Sequence, residues 1–338
     1  MIFIKNTFKI CFVIIGTIIG AGFASGKEIY SFFCVYGIHG FWGLLLSILI
    51  IGFIIFKCFS IIIKNNINTY SEFISCLIGK NKILNYSITN IINVFLLISF
   101  IVMCAGFGAY FSQEFNLPVF FGATIVSFLA FITFFKNIDG IIKVNSYLIP
   151  FLIVLILLLG IKSYFLSFNF QELSNTTSII WFVRSVLYAS YNSIVLIPII
   201  INFKKYINTK KQIMLVTALT ILFLIIMSVI IYIVLCINMP EINNIDIPII
   251  YIASGFGLFF KYLYGLVILI AIFTTAISAG FSFLENSAKT EKQYLYYVIF
   301  ICVFAIFCSN FGFSSLLNLL YPILGYLGLS QIGLLLIK

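Results

Sequence analysis

Charge is what this chain has least of. Only 8% of its 338 residues are charged, and nine are acidic. A soluble domain carries about 25% charged and about 45–50% apolar residues. Here 63% are hydrophobic and the mean hydropathy is +1.23, which excludes a soluble fold. No long polar stretch is left over to form a soluble domain. Histidine occurs once, as His39, so a histidine-rich metal centre is excluded. None of the eight cysteines forms a CxxC pair, and most lie in apolar runs, where a thiol packs as a small hydrophobe. A nucleotide-binding Walker sequence is absent, so no ATPase is built in. The scattered acids and lone histidine also argue against an intramembrane enzyme. The period-2 alternation of a membrane barrel is missing.

What is there is a succession of apolar runs of 18 residues or more, the signature of a polytopic membrane protein. In lipid an unpaired backbone group costs several kcal/mol, so these runs are helices. The sequence predicts ten spans: 8–36, 41–63, 85–112, 118–135, 144–166, 178–200, 211–237, 258–284, 293–309 and 313–337. The net charge of +10 is concentrated in short loops, which speaks of topology rather than of nucleic acid. With the N-terminus cytoplasmic, the loops at Lys57–Lys64, Lys80–Lys82, Lys136–Lys143, Lys204–Lys211 and Lys289–Lys292 all fall inside, with Lys5, Lys9 and Lys338. Only Lys162, Lys261 and Arg184 fall outside, as the positive-inside rule requires. Both termini are then cytoplasmic. With no targeting segment beyond the first span, a bacterial cytoplasmic membrane is expected.

Two connections exceed a turn. Residues 64–84 suit a short amphipathic helix. Residues 238–257 contain Pro240 and Pro248 and suit a loop folded over the external mouth. The chain divides into 1–166 and 167–338, five spans each. Halves with an odd number of spans sit inverted if they share a fold, and transporters built so bind solute near the midplane, between interrupted helices.

The first span carries "GTIIGAGFASGKEI", residues 16–29. Four readings compete. A dinucleotide loop needs a strand and a βαβ unit that cannot exist here. A cleaved signal would leave nine spans and invert the charge pattern. A helix-packing seam fits Gly16-x-x-x-Gly20 and Gly22-x-x-x-Gly26, but leaves the crowded small residues and the charged pair Lys27–Glu28 unexplained. A break in the helix explains both. Glycine costs about 1 kcal/mol per helix-interior position, and unwound backbone is tolerated in a membrane only where it lines a cavity. Gly20, Ala21, Gly22, Phe23, Ala24, Ser25 and Gly26 are the candidate binding segment.

In span 6, Tyr188 to Ser193 is a run of small and polar residues inside an apolar segment. A second break is expected there, with Tyr188, Ser190 and Asn192 facing the solute; interhelical hydrogen bonding is the alternative. In span 8, adjacent Thr274 and Thr275, with Ala271 one turn earlier, form an oxygen cluster suited to a small hard cation. The plainer alternative is hydroxyls bonded within their own helix. Glu28 is an intramembrane carboxylate, functional by default: it could meet a substrate amine or carry a proton, or pair with Lys27 or Arg184. In span 3, Gly106 and Gly108 flank Phe107, which could wall the pocket while the glycines pack on span 1, or could be ordinary core.

Together these segments resemble the amino acid–polyamine–organocation superfamily with its LeuT-type fold, and the first-span motif is most similar to the YkvI-like membrane proteins, a resemblance that implies an amino acid permease. The resemblance implies an all-α membrane protein of ten helices as a 5+5 inverted repeat with helices 1 and 6 broken. It implies a sodium site from the carbonyls of Gly16, Ile19 and Ala271 with the hydroxyls of Thr274 and Thr275. It implies a substrate carboxylate on free amides near Ala21 and Gly22. Span 5 has no charge in its middle, where some proton-coupled relatives place a lysine, which favours sodium over protons. The function expected is a secondary transporter of an amino acid, with a solute-sensing receptor on the same fold as the alternative. Beyond a possible coupling Na+ no cofactor is expected; the partners are the solute and the bilayer.

Overall fold

The computed structural model describes residues 2–79, 82–166, 179–207, 209–242, 247–311 and 313–337. Among them every regular element is helical. In chain order, α1 (Ile2–Ile18), α2 (Ala21–Ala24) and α3 (Lys27–Phe32) make up the first apolar segment. Next come α4 (Gly37–Lys64), α5 (Tyr70–Ile78), α6 (Lys82–Phe115), α7 (Val119–Phe134) and α8 (Asn137–Leu166). The second half holds α9 (Ile180–Ile201), α10 (Lys210–Ile237), α11 (Met239–Ile242), α12 (Pro248–Ser254), α13 (Leu258–Ser287), α14 (Glu291–Cys308) and α15 (Phe313–Ile337). The expected boundary between the halves, at 166/167, abuts residues outside the described ones.

Seven helical stretches among the described residues are long and apolar enough to cross a membrane, and Val119–Phe134 and Gly325–Leu336 are shorter apolar helices. Burial ranks them. In the apolar window of α13, 83% of residues are buried, against 28% in that of α14. α13 is therefore the central post, packed on α1, α6 and α8, and α14 is peripheral. α9 lies against α4 and α15.

Three helices start with one local device. Thr69, Thr209 and Thr290 each accept a hydrogen bond from the backbone N–H three residues on, at Glu72, Gln212 and Gln293. The Glu72 carboxylate and the Gln293 carboxamide reach back past the cap to accept from the N–H of Asn68 and Lys289, a reciprocal arrangement akin to a capping box. The connection 64–84 holds the expected short helix, α5, and the connection 238–257 holds α11 and α12.

One expectation is corrected. α9 runs unbroken from Ile180 to Ile201, so the second interrupted helix is absent. Its polar residues turn inward on the helix itself. Ser190 donates to the Val186 carbonyl at 2.7 Å and Asn192 to the Tyr188 carbonyl at 2.9 Å. Residues 188–193 contain no glycine, so nothing offsets the loss of helical hydrogen bonds that unwinding would require.

Candidate functional site

The break in the first segment is real and double. α1 ends at Ile18, and the N–H of Gly20 turns back to the Ile18 carbonyl at 3.0 Å. After the single turn of α2, Gly26 adopts φ 81°, ψ −8° and starts α3. That left-handed backbone suits glycine alone, and a Cβ there would also lie 2.7 Å from Ile249 Cγ1. Carbonyls freed by the break are taken up from elsewhere in the chain. The Tyr264 hydroxyl of α13 donates to the Ala24 carbonyl at 2.9 Å. The N–H of Ile249 donates to the Ser25 carbonyl at 3.2 Å, so α12, within the 238–257 connection, packs onto the break. The Ser25 hydroxyl donates to the Gly22 carbonyl and accepts from the Lys27 N–H.

An oxygen cluster sits at the end of α1. Thr275 Oγ1 lies 2.9 Å from the Gly16 carbonyl and 3.0 Å from the Ile19 carbonyl. The hydroxyl has left its own helix to bridge two carbonyls of another. Thr274 behaves differently and donates to Ala271 at 3.1 Å within α13. Thr274 and Thr275 are 0% and 7% exposed. The structure thus brings Gly16, Ile19 and Thr275 together directly, with Thr274 and Ala271 beside them on α13. Behind Gly16 stands Asn145 of α8. It is fully buried, its amide N–H donates to Ile141, and its Oδ1 has no hydrogen-bond partner among the described residues. That Oδ1 occupies the place of a Cβ on Gly16, so only glycine fits there.

On the other side of the break, Glu28 is 4% exposed and is the one charged residue in the buried class among the described residues. The Tyr191 hydroxyl of α9 donates to its Oε2. Its carboxylate lies over Gly22, where any Cβ would overlap it. Three further aromatic rings, Tyr188, Phe32 and Phe33, cluster with that of Tyr191. Tyr188 meets Phe33 at 5.1 Å, Tyr191 at 5.3 Å and Phe32 at 5.5 Å between ring centroids, all edge-on. Arg184 sits 5.7 Å above the Phe32 ring. Phe23 is buried with the same core.

Other predicted residues do not gather here. Phe107 is buried but stacks on Phe111 of its own helix at 5.6 Å. The neighbouring glycines do not pack on the first segment as expected. Gly106 faces Phe313 of α15, and Gly108 faces the backbone of Val119 on α7. It is Met103, one turn earlier, that lies beside Gly20. Ser190 and Asn192 stay bonded to α9. Tyr264 and Asn145 escaped sequence reasoning: the first is one of 19 tyrosines, the second one polar residue at the start of an apolar helix.

At the lysine-rich end a cavity of about 910 Å³ opens between Phe135, Ile201, Phe281, Glu285, Lys205 and Tyr294. Phe281 is six residues beyond Thr275, about 9 Å along α13. The large opening therefore faces the end opposite α12.

With this geometry the chain is a helical membrane protein with a broken first segment, and comparisons with known proteins give that architecture a place. The chain is 26% identical to YkvI of Bacillus subtilis (strain 168), an uncharacterized membrane protein, over 98% of this chain and 95% of that one. It is 25% identical to the uncharacterized protein YyaD of the same organism, over 94% and 92%. No protein-family model matches the chain. Its fold is shared with a substrate-bound, outward-open Na+-coupled sialic acid symporter, at TM-score 0.70 and 11% identity, over 97% of this chain and 78% of that one. It is shared as well with a nucleobase-cation-symport-1 family transporter in a closed conformation, at TM-score 0.64 and 14% identity, over 94% and 77%. These solved structures are of symporters, not enzymes.

Proposed function

We propose that this chain is a secondary transporter that moves an amino acid across a bacterial cytoplasmic membrane by alternating access, coupled to sodium. In this reading ten spans form a 5+5 inverted repeat with both termini cytoplasmic, and only the first helix is broken. The observation that carries it is the Thr275 hydroxyl bridging the Gly16 and Ile19 carbonyls beside the break. These are hard oxygens, buried, on two different helices, and a small cation takes such ligands. Sodium would displace the Thr275 proton from those carbonyls and be held by Gly16, Ile19, Ala271, Thr274 and Thr275.

The solute would lie along Gly20 to Gly26. Its carboxylate would meet free amides near Ala21 and Gly22 at the N-terminal end of a half-helix, and its amine would meet Glu28. The sialic acid symporter couples to Na+, and that shared fold supports the same coupling here. Phe107 keeps a place only as a more distant wall.

The test is a melting-temperature screen of purified protein against amino acids, in sodium or in choline, since a ligand of the folded state raises its melting point. One amino acid should stabilise the protein in sodium and lose that effect in choline. No shift by any amino acid in either salt would overturn the substrate class.

A further inference from the structure

A second cavity, of about 580 Å³, has no part in the site at the break. It lies between the first half of α1 and the first half of α8. Lys5 and Lys9 reach it from α1 and Lys143 from α8. Among the described residues none of these three forms an ion pair. The one acidic group lining it, Asp139, is already engaged, accepting from the Tyr206 hydroxyl at 2.7 Å. Positive charge is therefore in excess. The floor is apolar, made by Phe8, Phe12 and Ile142.

The surface above the cavity has a matching pattern. Tyr147, Phe151, Val154 and Leu158 are 72%, 43%, 51% and 45% exposed. Their spacing of four, three and four puts them on one face of α8. From Tyr147 to Leu158 the helix rises about 16 Å. One leaflet of the hydrocarbon core is about 15 Å deep. A charged crevice thus opens directly onto an apolar track one leaflet long.

We propose that this crevice binds the phosphodiester headgroup of an anionic phospholipid, with an acyl chain laid along the α8 stripe. The lysines supply the charge, the hydroxyl of Tyr147 is at hand as a donor, and Phe8 and Phe12 take the glycerol backbone. Basic pockets between membrane helices bind anionic headgroups on this principle. Such a lipid would clasp α1 to α8. α1 ends at the break, so the lipid would fix the half-helix whose position sets the Gly16 and Ile19 carbonyls. The proposal holds whatever the solute.

The test uses the full chain in nanodiscs of phosphatidylcholine alone or of equal parts phosphatidylcholine and phosphatidylglycerol, with lipid retention counted by native mass spectrometry. Phosphatidylglycerol should raise the melting temperature saturably and be retained preferentially. Lys9→Gln with Lys143→Gln should weaken that effect about 25-fold, at about fivefold per lysine. Lys289→Gln with Lys292→Gln removes the same charge elsewhere and should leave it intact. An equal loss in both pairs would mean a diffuse surface potential and overturn the site. Equal stabilisation by inorganic phosphate in phosphatidylcholine discs would mean a free-anion site and overturn the lipid. No difference between the two disc types would overturn it outright. Melting of each variant in phosphatidylcholine alone reports whether it folds.

Discussion

Thr275 Oγ1 lies 2.9 Å from the Gly16 carbonyl, across two helices and 259 residues of chain. A threonine in a membrane helix ordinarily satisfies its hydroxyl on its own backbone, as Ser278 does on Thr274 at 2.9 Å. Thr275 instead satisfies the end of α1, where helix termination leaves carbonyls without partners. Removing that hydroxyl leaves two buried carbonyls unmet. Thr275→Val should destabilise the chain by about 1–3 kcal/mol and abolish any sodium-dependent rise in melting temperature. Thr275→Ser, which keeps the oxygen, should retain both. Equal sodium dependence in all three proteins would remove Thr275 from the cation site.

Glu28 and Tyr191 form a further contact between the broken segment and the rest of the bundle. Hydrogen bonds to charged groups contribute about 1.5–3 kcal/mol. Tyr191→Phe should therefore lower stability by about that amount and weaken solute binding. Glu28→Gln should lose more binding than stability. Isothermal titration on both variants, beside thermal melting, separates the two effects. Unchanged solute affinity in Glu28→Gln would exclude Glu28 from recognition.

Gly22 has no room for a side chain because the Glu28 carboxylate lies on it. Gly22→Ala should displace that carboxylate, break its contact with Tyr191 and cost about 1–3 kcal/mol as an overpacked site does. Adding Glu28→Ala should make the alanine at 22 nearly neutral, a coupling that a double-mutant cycle measures. Additive effects would mean that the two positions are independent.

At the lysine-rich end, burial and the Asp139 carboxylate push the Tyr206 phenol up to about 12. An unfolded tyrosine titrates near 10. The folded chain thus holds this proton more tightly, so the stabilisation is complete below about pH 10 and is lost as pH rises through about 12. The melting difference between wild type and Tyr206→Phe should be constant up to about pH 10 and shrink above it. A difference that grows with pH would contradict the assigned direction.

How much of this was legible in the sequence depended on chemistry that survives in one dimension. The break in the first segment was legible because Gly20, Gly22 and Gly26 are conspicuous in an apolar run. Thr274 and Thr275 were legible as adjacent hydroxyls, and a short helix at α5 as an amphipathic stretch between lysines. Span 6 misled because serine and asparagine look alike whether they break a helix or bond back onto it. Their destinations, Val186 and Tyr188, are set by side-chain rotamers that no pattern encodes. Gly106 and Gly108 announced close packing but not the partner, which is Phe313 and Val119 rather than the first segment. The pairing of Tyr191 with Glu28 spans 163 residues and is fixed only by how α3 meets α9. Tyr264 and Asn145 lacked any local signal.

The most direct test of the whole account is flux. Purified protein in proteoliposomes would be given an inward sodium gradient and the radiolabelled amino acid selected by the melting screen. The account predicts concentrative uptake that collapses when choline replaces sodium and is lost in Thr275→Val. Tight binding of the same amino acid with no sodium-driven uptake in the wild-type protein would contradict it, and would make this chain a receptor built on a carrier's fold.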